Sequence, residues 1–413
     1  MSIAAMVIAA LATAGVIVRP LHLPEATWAV AGAFLLVLLG LLPIGDALAG
    51  VAKGTDVYLF LAGMMLLANL ARQEGLFDWL AEFAVRRADG SGKRLFLLVY
   101  GVGVVVTALL SNDATAVVLT PAVYAAAKAA GATPLPYLFI CAFVASAASF
   151  VLPISNPANL VVFGHAMPPL AAWLGEFALP SLVAIVLTFV ALRLRLGAAI
   201  AIPVRAELPP RSLSRGGLLA GLGICTTGVV LLAASALGAN LGLPTFCAGL
   251  ATAALVLAHD RKSPWPLLAG ISWSVLALVA GLFVLVEALR HVGTTAMLAQ
   301  LVQGAAAHSV TFTAIGAGTI TAFAGNLMNN LPAALVAGSS LAHAPKPIVD
   351  AVLIGVDLGP NLSVTGSLAT ILWLIALRRE GETLSAWAFL KLGAIVMPPA
   401  LIGALTVAAA VHR

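Results

Sequence analysis

The sequence predicts an all-α polytopic membrane protein. It is expected to consist of two inverted repeats of about five transmembrane helices, each with a re-entrant hairpin and a broken helix. Three observations predict this. The 413 residues are 62% hydrophobic and only 9% charged, whereas a soluble domain runs nearer a quarter charged. The charges fall in patches between apolar runs of about 15 to 20 residues, the length of a membrane span. Short motifs also recur at an offset of 218 residues. The same composition excludes other classes. A net charge of +5 with no basic stripe does not suit nucleic acid. Cys141, Cys225 and Cys247 all sit in apolar context and do not form a disulfide framework.

Spans are expected near residues 3–19, 26–44, 57–71, 137–165, 176–197, 216–236, 243–258, 271–289, 347–377 and 392–411. Met1 to Val18 has no basic segment before it and Arg19-Pro20 after it, the reverse of a signal peptide, so it reads as the first span. The apolar stretches 95–130 and 310–343 are interrupted by Ser111-Asn112-Asp113 and by Asn329-Asn330-Leu331-Pro332. Both read as re-entrant hairpins whose tips face a cavity, because irregular backbone at membrane depth must be satisfied by protein or water. With the N-terminus outside, 17 of the 21 Lys and Arg residues fall on the inner side and only Lys53, Arg290, Lys346 and Arg413 outside. Cytoplasmic loops collect such residues, so the asymmetry supports that orientation. Leu76 to Val85, with Phe77, Trp79, Leu80 and Phe83 beside Asp78 and Glu82, reads as an amphipathic helix at the inner interface.

The repeat is visible in the motifs. Ala62-Gly63-Met64-Met65 and Arg72-Gln73-Glu74-Gly75 align with Ala280-Gly281-Leu282-Phe283 and Arg290-His291-Val292-Gly293. Asn112-Asp113 meets Asn329-Asn330 at an offset of 217, and Asn156-Pro157-Ala158-Asn159 has a loose counterpart in Gly359-Pro360-Asn361. The expected division is 1–197 for the first repeat, 198–215 for a cytoplasmic linker bearing Pro203, Pro209 and Pro210, and 216–413 for the second repeat. Five spans and a hairpin cross the membrane an odd number of times, so the halves are inverted. Such repeats hold their substrate near the midplane, between discontinuous helices.

Polar groups at that depth are costly and read as functional. The candidate substrate-binding residues are Ser111, Asn112, Thr115, Ser155, Asn156, Asn159, Asn329, Asn330, Asn361, Ser363 and Thr365, with Asn326 close by. Pro157 and Pro360 each remove a backbone donor and open their helix. Asn both donates and accepts, so a ring of Asn, Ser and Thr can surround a small hydroxylated solute without net charge. The competing reading is hydrogen-bond glue between helices. Asp113 and Asp357 are the titratable candidates. Each is either a proton carrier, as burial suits a carboxyl to bind and release protons near neutral pH, or an ionised sodium ligand. Glu287, one turn from Arg290, reads as an ordinary ion pair. His165, His291, His308 and His343 read as surface residues near span ends. There is no HExxH, CxxC or GxxxxGK motif, so no metalloprotease or ATPase chemistry is encoded and no cofactor is expected.

Leu110 to Ala116 with Leu119-Thr120-Pro121, then Pro153 to Asn159, Asn329 to Pro332 and Gly359-Pro360-Asn361 together resemble the ArsB-type arsenite/antimonite efflux permeases of the ion transporter superfamily. The likeness spans essentially the whole chain. The Ser-Asn-Asp hairpin alone is shared across that superfamily; its combination with the other three motifs points to the arsenite branch. The resemblance implies a secondary transporter, not an enzyme. Such a protein would sit in the prokaryotic inner membrane and export trivalent arsenic and antimony by proton antiport and alternating access, sometimes with a cytoplasmic ATPase subunit. The chemistry agrees. Arsenious acid is a small neutral trihydroxide, and neither hairpin tip nor helix break holds the Arg or Lys that a dicarboxylate would require. Only Cys141 falls near the expected site, so binding is expected not to need thiols. A sodium/proton antiporter or an anion/sodium symporter on the same scaffold is the alternative.

Overall fold

The computed structural model describes residues 3–164, 167–205 and 212–412. His165, Pro209, Pro210, Arg211 and Arg413, which entered the readings above, lie outside the described residues. Every regular element among the described residues is helical. The first part of the chain forms α1 (Ile3–Val18), α2 (Glu25–Leu38), α3 (Ile44–Lys53), α4 (Thr55–Gln73), α5 (Leu76–Arg87) and α6 (Gly92–Leu109). After a break come α7 (Asn112–Ala114), a π turn at Thr115–Leu119, α8 (Thr120–Ala129), α9 (Leu135–Ala147), α10 (Pro157–Phe163) and α11 (Leu170–Leu196). The second part runs through α12 (Arg215–Ala236), α13 (Gly242–Asp260), α14 (Trp265–Ala269), α15 (Trp273–His291), α16 (Thr294–His308) and α17 (Val310–Met328). It ends with α18 (Asn330–Ser340), α19 (Lys346–Leu358), α20 (Leu368–Arg379) and α21 (Ala386–Val411).

Ten simple spans were expected; seven of these helices are long and apolar enough to cross a membrane, or eight if α3 and α4, bent by 44° at Gly54, count as one. The shortfall has a physical origin. α1, α2 and α9 are only 16, 14 and 13 residues long, against the roughly 20 that a straight crossing needs. The expected spans 137–165 and 347–377 are each split by non-helical backbone, into α9 with α10 and into α19 with α20. α6 and α17, read as hairpin arms, are among the seven that reach crossing length unaided. α3 and α16 had no counterpart in the expected list.

Helix boundaries recur at the offset read from the motifs. α4 and α15 are both 19 residues long and start at Thr55 and Trp273. Each is followed by a left-handed glycine, Gly75 (φ 75°) and Gly293 (φ 83°), a conformation that glycine adopts without a Cβ penalty. Ser91 and Ser309 then cap α6 and α17, their hydroxyls accepting the N–H of Arg94 and Phe312 at 3.3 Å.

Small residues let these helices approach closely, the usual device where lipid is as apolar as the core. A Cβ on Gly355 of α19 would lie 2.1 Å from the Gly318 carbonyl oxygen of α17, and one on Gly318 would lie 2.5 Å from the Ala351 carbonyl oxygen. α4 and α13 meet in the same way, at Gly63 and Thr245. The apolar face of α5 (Phe77, Ala81, Ala84, Val85) is buried in protein, with α5 packed on α6 and α8. The start of the linker is pinned to the first half, where Val204 N–H donates to Gly90 O and Arg205 N–H to Ala130 O. Glu287 pairs with Arg290 as expected and also with Lys53 of α3.

Candidate functional site

Each break in the chain is held by a short polar side chain acting as a helix cap, which explains why these residue types stand there. Ser111 Oγ accepts the Ala114 N–H at 3.2 Å, and Asn112 Oδ1 accepts the Asp113 N–H at 2.9 Å. Asn329 Oδ1 accepts the Leu331 N–H at 3.3 Å. In the broken spans, Asn156 Oδ1 accepts from Ala158 at 3.0 Å and Ser367 Oγ accepts from Ala369 at 3.2 Å. Asn329 has φ 73° and ψ 151°, a region that is almost glycine-only and costs about 1–3 kcal/mol for other residues. Strain of that size persists where the surroundings fix the backbone, here at a cavity wall.

The caps correct the alignment of the halves. Ser111 corresponds to Asn329 and Asn112 to Asn330, both at 218 rather than 217, so Asp113 stands opposite Leu331. The counterpart of Asn156 is Ser367: both are extended caps after a three-residue 3-10 turn. Gly359-Pro360-Asn361 forms an earlier turn of its own.

The four breaks converge on one cavity. Asn112, Asp113, Asn156 and Pro157 line it from the first half, and Asn329, Asn330, Leu331, Pro332, Ser367 and Leu368 from the second. Val16, Glu25, Leu61, Val275, Leu278, Val279 and Leu282 complete the wall. The first turns of α18 and α20 therefore present free N–H groups and a positive dipole end to the interior. About 40 Å³ is open to water-sized solutes, where one water needs roughly 10–15 Å³. Among the described residues, no Lys or Arg lines the cavity.

Behind the wall lies Asp357. It is 1% exposed, and Asn156 Nδ2 donates to its Oδ1 at 2.6 Å. Its Oδ2 finds no hydrogen-bond partner among the described residues. Asn156 thus links the cavity to a buried carboxyl through a short hydrogen bond.

The other sequence candidates hold backbone rather than line the cavity. Asn159 Nδ2 donates to Ser149 O at 2.9 Å, and Asn361 Nδ2 to Phe143 O at 3.1 Å. Ser155 Oγ donates to Ala108 O at 3.1 Å, tying the first break to α6. Thr115 Oγ1 meets Thr107 Oγ1 at 2.8 Å, bridging the π turn to α6. Ser363 donates to Asn326 Oδ1 at 2.6 Å and Thr365 to Asn326 O at 3.0 Å. Asn326 in turn donates to Gly359 O at 2.9 Å, locking α17 to the second break. Ser367 and Glu25 line the cavity and were not among the candidates read from the sequence. The Ser-Leu-Ala start of α20 after a glycine was the available signal for Ser367; nothing local marked Glu25, which pairs with Arg19 beside the cavity. Cys141 is buried away from the lining, while Cys225 and Cys247 are exposed on α12 and α13.

A family model described as citrate transporter (CitMHS) matches residues 5–378. The chain belongs to that family. Among curated proteins it is similar to the arsenical pump membrane protein of Escherichia coli K12, 29% identical over 364 residues and 82% of each chain. It is also 28% identical to the arsenical pump membrane protein of Yersinia enterocolitica, again over 82% of each chain. The likeness to ArsB-type permeases read from its motifs is thereby borne out. Among solved structures it matches the YdaH transporter of Alcanivorax borkumensis with a TM-score of 0.56 at 18% identity, over 89% of this chain and 86% of that one. At that identity the match establishes the fold alone. The chain is a multi-pass transporter of a bacterial membrane, not an enzyme.

Proposed function

We propose that this transporter exports trivalent arsenic and antimony from the cytoplasm, in exchange for protons and by alternating access. The carrying observation is a cavity ringed by Asn112, Asn156, Asn329, Asn330 and Ser367, with the carboxyls of Asp113 and Glu25 at its wall and, among the described residues, no basic side chain in its lining. Four amides and a hydroxyl match the donors and acceptors of a neutral trihydroxide. Citrate, the substrate named in the family description, would need cations there to offset its carboxylates. The relatives named as arsenical pumps support the same choice.

In this reading Asn112, Asn156, Asn329 and Asn330 hold the solute. Ser111, Thr115, Ser155, Asn159, Asn361, Ser363 and Thr365 fix the loops that present them. Asp113, in the cavity, and Asp357, joined to it through Asn156, take up and release the coupling proton. The two halves, 1–197 and 216–413, act as inverted repeats, with 198–215 as the linker on the cytoplasmic side. The matching helix boundaries and glycine turns at 218 support that division. A sodium ion at Asp357 is the second reading, favoured by the unpartnered Oδ2 of that carboxyl.

The test is uptake of labelled antimonite or arsenite into everted vesicles, with a proton gradient imposed and then collapsed. Accumulation should follow the gradient and stop with it. Uptake indifferent to the proton gradient but driven by sodium would replace the antiport reading with the second one. Proteoliposomes holding this chain alone would show whether an ATPase subunit is needed.

A further inference from the structure

A second group of ionisable side chains lies away from the cavity, where α19, α21 and α11 meet. Asp350 of α19 is 1% exposed and its Oδ2 lies 2.8 Å from His412 Nε2, at the end of α21. Its Oδ1 is buried without a hydrogen-bond partner among the described residues. Beside it, Lys346 forms an ion pair with Glu176 of α11. Lys346 is thus already neutralised and does not require Asp350. A buried carboxyl of this kind is expensive in an apolar bundle and reads as functional.

Asp350 and Asp357 occupy one face of the same helix. They are seven residues apart, two turns or about 10 Å along the axis. Both carry one oxygen bonded to a neighbour and one without a partner. The inner carboxyl reaches the cavity through Asn156, and the outer one reaches water through His412, whose side chain is 17% exposed. The other elements packed on α19, namely α9, α10, α17 and α18, carry no charged residue. Lys391 of α21 lies more than five turns from His412, and His343 in the loop before α19 is exposed. Among the described residues, charge on this face of the helix is therefore confined to Glu176, Lys346, Asp350, His412 and Asp357.

We infer that Asp350 with His412 is a proton relay that loads Asp357 from the face of the membrane opposite the cytoplasm. This rests on the proton-antiport reading above and names its entry route. The proton passes from water to His412, from His412 to the Asp350 carboxylate, and from there to Asp357 two turns along α19. Each step moves one proton between two groups and changes no other bond.

The experiment compares the wild-type chain with Asp350→Asn, Asp350→Glu, His412→Gln and Asp357→Asn in everted vesicles, using labelled antimonite and setting lumenal and bath pH separately. Wild type should accumulate antimonite faster as the lumen is acidified. Asp350→Asn and His412→Gln should flatten that lumenal profile and slow uphill uptake by about tenfold or more. Antimonite exchange at equal pH should stay within about twofold of wild type in both variants. Asp350→Glu should restore the profile. A merely structural link between α19 and α21 would lower exchange and uphill transport together. If wild type follows the gradient and both variants keep its lumenal profile, the relay is wrong and the antiport reading stands. If wild type ignores the gradient, both fall. Should Asp350→Asn fail to insert, His412→Gln at the half-buried end of α21 decides the matter alone.

Discussion

The two polar breaks of the first half and the two of the second occupy matching places but are not chemically alike. At the hairpin tips, Ser111-Asn112-Asp113 stands against Asn329-Asn330-Leu331. An acid in the cavity on one side is thus a leucine on the other. At the broken spans, Asn156 reaches outward to Asp357, whereas Ser367 has only its own helix to cap. The amide floor is shared by both halves; the carboxyls stand at unlike positions, Asp113 at a hairpin tip and Asp357 on α19. Amides shape a neutral site, which symmetry can supply from two sides.

The largest expected effect separates the two carboxyls. Asp113→Asn keeps the shape but cannot titrate, so uphill antimonite export should be abolished while slow exchange across vesicles survives. Asp357→Asn should do the same if the pair shares the proton, and should leave export intact if Asp113 works alone. Gradient formation at normal pH dependence in both variants would show that neither carboxyl couples.

A middle-sized effect compares the caps. Ser367→Ala removes one cap and should cost about 1 kcal/mol, read as a lower melting temperature in detergent. Asn156→Ala removes the cap and also the partner of a buried acid, so its cost should exceed that of Ser367→Ala by about 1–3 kcal/mol. Equal losses would mean that the Asn156–Asp357 bond is weak. The smallest effect belongs to the thiols. Replacing Cys141, Cys225 and Cys247 by Ala should leave antimonite transport within about twofold of wild type, because none lines the cavity. Loss of transport in a well-inserted cysteine-free chain would overturn that.

Much of this was legible in the sequence. Class and interruptions follow from composition and from polar residues stranded in apolar runs, since both report what lipid tolerates. Asn112, Asn156, Asn329 and Asn330 were found because amides at such depth need a reason. The candidates that fall outside the lining share one feature. An amide beside an open helix satisfies stranded carbonyls as readily as it binds a solute, and Asn159, Asn361 and Asn326 do the former. Sequence cannot tell these uses apart, because the carbonyls they meet lie up to 218 residues away along the chain. Span lengths failed for a related reason: hydropathy marks apolar residues, not whether their backbone stays helical. The hairpin register slipped by one because it was matched on residue identity, while the caps align by geometry.

The glycine contact between α17 and α19 has a mechanical consequence. With Gly318 and Gly355 backbone to backbone, any side chain at either position would force the two helices apart. Asn326 bolts the same pair at its far end through Gly359. The first arm of the second hairpin and the helix bearing Asp350 and Asp357 are therefore a single stiff lever. Any tilt of this pair would carry both carboxyls and the Asn329 tip together.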